Sequence, residues 1–94
     1  MGKVAMAIDS KLRHRFQPVR LTVEDDSSRH QGHAGWREGG ETHFNVEIVS
    51  AAFEGHGRVA RQRLVYAALG DEFAAGLHAL ALKTLTPAED SGSR

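Results

Sequence analysis

The stretch from Arg58 to Pro87 limits the possible folds more than any other, because its apolar period changes once, at a glycine. Val65, Leu69 and Phe73 recur every four residues, flanked by Leu64 and Ala68, which predicts one amphipathic helix over 58–73. Gly76 can take the left-handed conformation that stops a helix, which residues with a β-carbon rarely do. From His78 to Thr86 the period falls to two, with His78, Leu80 and Leu82 on one side and Ala79 and Ala81 on the other. Pro87, lacking an N–H for a ladder, should close that strand. A titratable imidazole at a helix-to-strand corner is the first place to look for chemistry. Gly70 lies inside the predicted helix and should cost about 1 kcal/mol relative to alanine, so the helix bends there or its apolar face compensates.

The rest of the chain follows the same two periods. Val4, Ile8, Leu12 and Phe16 are spaced by four with Ala5 beside them, predicting a helix over residues 3–16 that Pro18 ends through its constraint on Gln17. Lys11, Arg13, His14 and Arg15 form its polar face, and a basic last turn suits the negative end of the helix dipole without any ligand. Val19, Leu21 and Val23 alternate with Arg20, Thr22 and Glu24, a strand with one buried face. Phe44, Val46 and Ile48 alternate with His43, Asn45 and Glu47, a second such strand with His43 on its polar face. Between them, residues 25–41 are polar and glycine-rich and read as a long loop, a kind of segment that is more often functional than idle. Ser50–Gly55 reads as a turn or a single helical turn.

These elements imply an α+β domain of two layers in the order α-β-β-α-α-β. The first two strands should pair antiparallel, and the third should return through a helical crossover as a parallel neighbour. The result is a three-stranded mixed sheet with helices on one face. With 94 residues the chain makes one domain, assigned to 1–87, with 88–94 as a polar, frayed C-terminal tail.

The formal net charge is zero, so no global field attracts nucleic acid or an acidic membrane, and any such binding needs a local patch. Arg58, Arg61 and Arg63, with Lys83 nearby, are the candidate patch, and its ordinary reading is a solvated helix face with Arg61 paired to an acid. The chain has no cysteine, which excludes disulfides and thiolate-only metal sites. No apolar run approaches the roughly 20 residues of a membrane span, and no signal-peptide pattern is present, so a soluble cytoplasmic protein is expected. Without a cysteine nucleophile, interpretable paired carboxylates or a recognisable triad, no enzymatic activity is expected.

Several short segments then fall into one order: Lys11-Leu12, Phe16-x-Pro18, Leu21-x-Val23-x-Asp25-x-Ser27-x-x-His30 and Glu41-Thr-His-Phe44 in the first half. Ile48-Val-Ser50, Phe53-x-Gly55, Arg61-x-Arg63-Leu-Val-Tyr66 and His78-Ala-Leu-Ala-Leu82 follow. Together they resemble the BolA family over residues 11–87. The resemblance implies a type II KH-like fold, and it implies pairing with a monothiol glutaredoxin that can share a [2Fe-2S] cluster. His78 matches the histidine the family presents as a ligand; His30 matches the loop ligand, and His33 could substitute for it. The partner's cysteine and a bound glutathione would complete the cluster, with no cofactor tightly bound in the isolated chain, which is expected to be a monomer or weak dimer. Imidazole in place of thiolate on one iron is chemically reasonable and raises the potential.

The resemblance also implies a second function, DNA binding by a transcriptional regulator through the basic turn-helix region of Arg58, Arg61 and Arg63. The family usually reads Arg-His-Arg where this chain has Arg61-Gln62-Arg63. Gly32-His-Ala-Gly35 falls between two strands rather than two helices, and it is read as coincidence rather than a nucleic-acid clamp. Without the resemblance, His78 would be a hydrogen-bonded core residue, and His30 and His33 solvated loop residues. The three histidines could also hold zinc, though they specify no geometry.

Overall fold

The computed structural model describes residues 2–25, 43–77 and 79–92, which form α1 (Lys3–Phe16), β1 (Arg20–Asp25), β2 (His43–Val49), a 3₁₀ turn (Ala51–Phe53), α2 (Arg58–Ala68), α3 (Gly70–Ala74), β3 (Ala79–Leu85) and α4 (Pro87–Gly92). α1 has the expected bounds, and Ala5, Ile8, Leu12 and Phe16 all point into the core. It ends where Gln17 turns left-handed (φ 45°, ψ 56°) ahead of Pro18, its N–H still bonded to the Arg13 carbonyl.

The sheet order is β1-β2-β3, with β1 antiparallel and β3 parallel to β2. This is the mixed three-stranded α+β arrangement expected from the sequence. Leu21, Phe44, Val46 and Ile48 pack with Ile8, Leu12, Phe16, Val65 and Leu69, so α1, α2 and α3 cover one face. Thr22, Glu24, Ala81 and Lys83 are exposed on the other.

Four local expectations are corrected. Val19 was placed on the buried face of the first strand, but it precedes β1 and is 70% exposed. Its N–H still bonds the Val49 carbonyl, so the backbone joins the sheet while the side chain leaves it. His43 was placed on a polar face, yet it is 4% exposed, and Val49 at the other end of that face is buried too. Alternation assigns a side chain to a face and says nothing about what covers that face. The single helix over 58–73 is two: Leu69 breaks it with φ −107°, ψ 19°, its N–H shared between the Val65 and Tyr66 carbonyls. The buried Leu69 side chain anchors the break, and α3 restarts at Gly70.

The fourth correction is the C-terminus. The segment read as a frayed tail contains α4, whose start is a reciprocal cap. The Glu89 N–H donates to Thr86 Oγ1 (3.2 Å), and the Thr86 N–H donates to Glu89 Oε1 (2.8 Å). Thr86-Pro87-Ala88-Glu89 is therefore a capping box with proline at the first helical position. Pro87 does follow the strand's end, but it does so by starting a helix.

Gly76 behaves as expected. At φ 123° it lets Leu77 N–H reach the Glu72 carbonyl (3.0 Å) and its own N–H the Phe73 carbonyl (3.3 Å), which closes α3 before β3. Gly70 differs, because a β-carbon there would meet nothing within 4 Å and its φ lies outside the left-handed range. Gly70→Ala should therefore stabilise the fold by about 0.4–1 kcal/mol, by restricting the unfolded chain. A urea titration with an unchanged or lower midpoint would contradict this.

Candidate functional site

The register places three chain ends at one end of the sheet. Asp25, the last residue of β1, pairs with Phe44, while His43, the first residue of β2, pairs with Ala79, the first of β3. The 26–42 segment thus leaves from β1 at this end of the sheet and re-enters at His43, beside the start of β3, and it carries His30, His33 and Trp36. His78 immediately precedes Ala79. His30, His33 and His78, and the Gly32–Gly35 stretch, lie outside the described residues. Among the described residues no group of three His, Cys, Asp or Glu could hold a metal ion. Next to the start of β3, Tyr66, Phe73, Ala79 and Leu80 line an open, largely apolar depression. Tyr66 and Phe73 meet edge to face (5.5 Å, 62°), and Tyr66 Oη donates to the Leu80 carbonyl (3.4 Å).

The opposite end of β3 carries the basic groups. Arg58, Arg61 and Lys83 line a groove of about 490 Å³ with Leu82, Thr84, Leu85 and Glu89. Arg63 does not join them, because two residues turn a helix by about 200°, so Arg61 and Arg63 lie on opposite sides of α2. Arg61 is a structural bracket as well as a charge. Its Nε donates to the His56 carbonyl (2.7 Å) and its Nη1 to the Thr84 carbonyl (3.2 Å), while Nη1 and Nη2 grip Glu89 Oε1 and Oε2 (2.6 and 3.3 Å). The expected pairing of Arg61 with an acid is thus present, and the acid comes from α4. Five residues of extended chain separate Ala79 from Thr84, so the two ends of β3 are about 17 Å apart.

A second ionic group ties α4 to the sheet's open face. Arg20 Nη2 donates to Asp90 Oδ1 (2.6 Å) and to Glu47 Oε1 (3.1 Å), and Lys83 Nζ lies 3.7 Å from the same Glu47 oxygen. The Arg20 hydrogen bond holds the Glu47 carboxyl below its ordinary range, and Glu47 and Asp90 together raise the Arg20 guanidinium. On the far side of the molecule, Lys11 Nζ sits 2.8 Å from Glu72 Oε2, joins α1 to α3, and is raised by that contact.

Periodicity gives no sign of Glu89 and Asp90; the sequence signal for the helix that presents them is Thr86 and Glu89 at capping-box spacing. The hydrogen bond from Arg61, followed by the Thr86 backbone N–H, lowers the Glu89 carboxyl from 4.5 to about 2. Because the folded value lies below the unfolded one, this contribution is whole above about pH 4.5 and is lost as pH falls towards 2. The thermal midpoint should fall through that window, and Glu89→Gln should flatten the fall. Identical acid titrations for parent and variant would contradict the pairing.

Among the described residues no helix is long and apolar enough to cross a membrane. The family model for "BolA-like protein" matches residues 12–89. SufE-like protein 1, chloroplastic/mitochondrial, of Arabidopsis thaliana is 50% identical over 93 residues, covering 95% of this chain but only 25% of that protein's length. The DNA-binding transcriptional regulator BolA of Escherichia coli is 45% identical over 85 residues, covering 90% of this chain and 77% of its own. The solved BolA domain of SufE1 from Arabidopsis thaliana superposes with a TM-score of 0.87 at 49% identity, covering 95% of this chain and 98% of that domain. A match over most of the chain, in sequence and in fold, establishes that the chain belongs to the BolA-like family.

Proposed function

We propose that this chain is a binding adaptor that pairs with a monothiol glutaredoxin and shares a [2Fe-2S] cluster with it. The observation that carries the reading is the strand register, in which Asp25, His43 and Ala79 share one end of the sheet. The two segments bearing the candidate ligands are therefore tethered to that end. The donor set fits half of such a cluster, since a chain without cysteine offers imidazole to one iron. His78 with His30 or His33 would hold the cluster on this side, and the partner's cysteine and glutathione on the other. When bound, the cluster is cargo for iron-sulfur trafficking or an iron signal. The role is binding rather than catalysis. The cytoplasm expected from the sequence is not part of this reading, because one relative is named chloroplastic/mitochondrial.

The test is anaerobic reconstitution with a monothiol glutaredoxin, followed by visible circular dichroism. His78→Ala should alter the spectrum of the mixed complex and lower its cluster content. A spectrum identical to the parent's would overturn the ligand assignment.

A second reading, phosphate contact with duplex DNA, is favoured by the groove that gathers Arg58, Arg61 and Lys83, and by the similarity to the Escherichia coli DNA-binding transcriptional regulator. It is the weaker of the two, since Arg63 faces away and Arg61 already holds a carboxylate. Both readings can operate in one chain because they use opposite ends of β3.

A further inference from the structure

We propose that α4 is an autoinhibitory clasp: its Glu89 occupies the oxyanion position of the basic groove, and a nucleic-acid phosphate gains that position only when α4 lets go. The inference rests on the second reading above. The Arg61 guanidinium is pre-positioned by the His56 and Thr84 carbonyls, which use Nε and one hydrogen of Nη1. Its remaining face presents Nη1 and Nη2 side by side, and this is the fork that recognises a carboxylate or a phosphate in two-point fashion. Glu89 fills it with both oxygens. The chain thus supplies, from its own C-terminal helix, the chemical group that an external anion would bring to Arg58, Arg61 and Lys83.

The clasp is built to open. α4 spans six residues, too few to be stable as an isolated helix. Besides the Thr86 cap, two ion pairs hold it to the rest of the fold, Arg61–Glu89 and Arg20–Asp90. In the first pair only Glu89 is exposed, which leaves its carboxylate open to displacement by a competing polyanion, and the second is half-buried at Arg20. Opening would free the Arg61 fork beside Arg58 and Lys83 while leaving the three-stranded sheet intact.

The test uses the full chain and a fluorescent duplex, with binding read by anisotropy across a salt series. Glu89→Gln should bind several-fold more tightly than the parent and steepen the salt dependence by about one phosphate contact. Glu24→Gln, the same charge change on the sheet's exposed face, should have a much smaller effect. A structural role for Glu89 would lower thermal stability without tightening binding, and equal, measurable duplex affinities for Glu89→Gln and parent would overturn the proposal. Hydrogen exchange of residues 87–92 with inorganic triphosphate added gives a readout independent of DNA. Faster exchange there without duplex binding keeps the clasp and sinks the DNA reading; unchanged exchange, with Glu89→Gln no tighter for DNA, sinks the clasp.

Discussion

Phe53→Ala is expected to cost about 3–5 kcal/mol, more than the loss of any one hydrogen bond or ion pair in this chain. The ring is fully buried, and its centroid lies 5.3 Å from that of Phe16 at 38°. It sits in the 3₁₀ turn that reverses the chain after β2, and it packs against the last turn of α1. Truncation removes the transfer free energy of a large ring and leaves a cavity between elements 37 residues apart, which the stiff turn cannot collapse to fill. For a domain this size the thermal midpoint should drop by at least about 12 °C. In urea the midpoint should fall with the slope unchanged. A loss below about 1 kcal/mol would mean that this contact does not organise the core.

Ser50→Ala should follow, at about 2–4 kcal/mol, although it deletes a single oxygen. Ser50 is fully buried, and its hydroxyl serves two elements. It donates to the Phe16 carbonyl (2.6 Å), one of the acceptors that α1 leaves open at its C-terminus, and accepts from the Ala52 N–H (3.0 Å) as cap of the 3₁₀ turn. Alanine loses the cap, worth about 1 kcal/mol, and strands a buried carbonyl at a further 1–3 kcal/mol. The variant's denaturant midpoint, compared with that of Gly70→Ala, checks this, because the two should move in opposite directions. A neutral Ser50→Ala would show that water reaches the Phe16 carbonyl.

Both sites also show how far periodicity reaches. Phe53 and Ser50 belong to an irregular stretch with no period; family motifs include both, but nothing local shows what either one touches. The hydrogen bond that makes Ser50 costly to replace spans 34 positions. In the same way, the candidate histidines could be named from their motif, and the basic groove in part from Arg58 and Arg61. The loss of Arg63 from that groove required the rotation of α2 to be considered. The acid that fills the groove comes from a segment that composition alone describes as a polar tail.

Local physics is enough to give α1 over 3–16, the alternation that makes β1, β2 and β3, the glycine stop at Gly76, and the family motifs that name the candidate ligands. These depend on repeats of two or four residues and on single-residue backbone preferences. The break at Leu69, the exposure of Val19, the burial of His43 and the docking of α4 emerge in the folded chain alone. The docking of α4 depends on partners far along the chain, Arg61 with Glu89 at 28 positions and Arg20 with Asp90 at 70. An ion pair across that separation forms because the sheet has already brought its ends together, so it leaves no pattern in the residues around it.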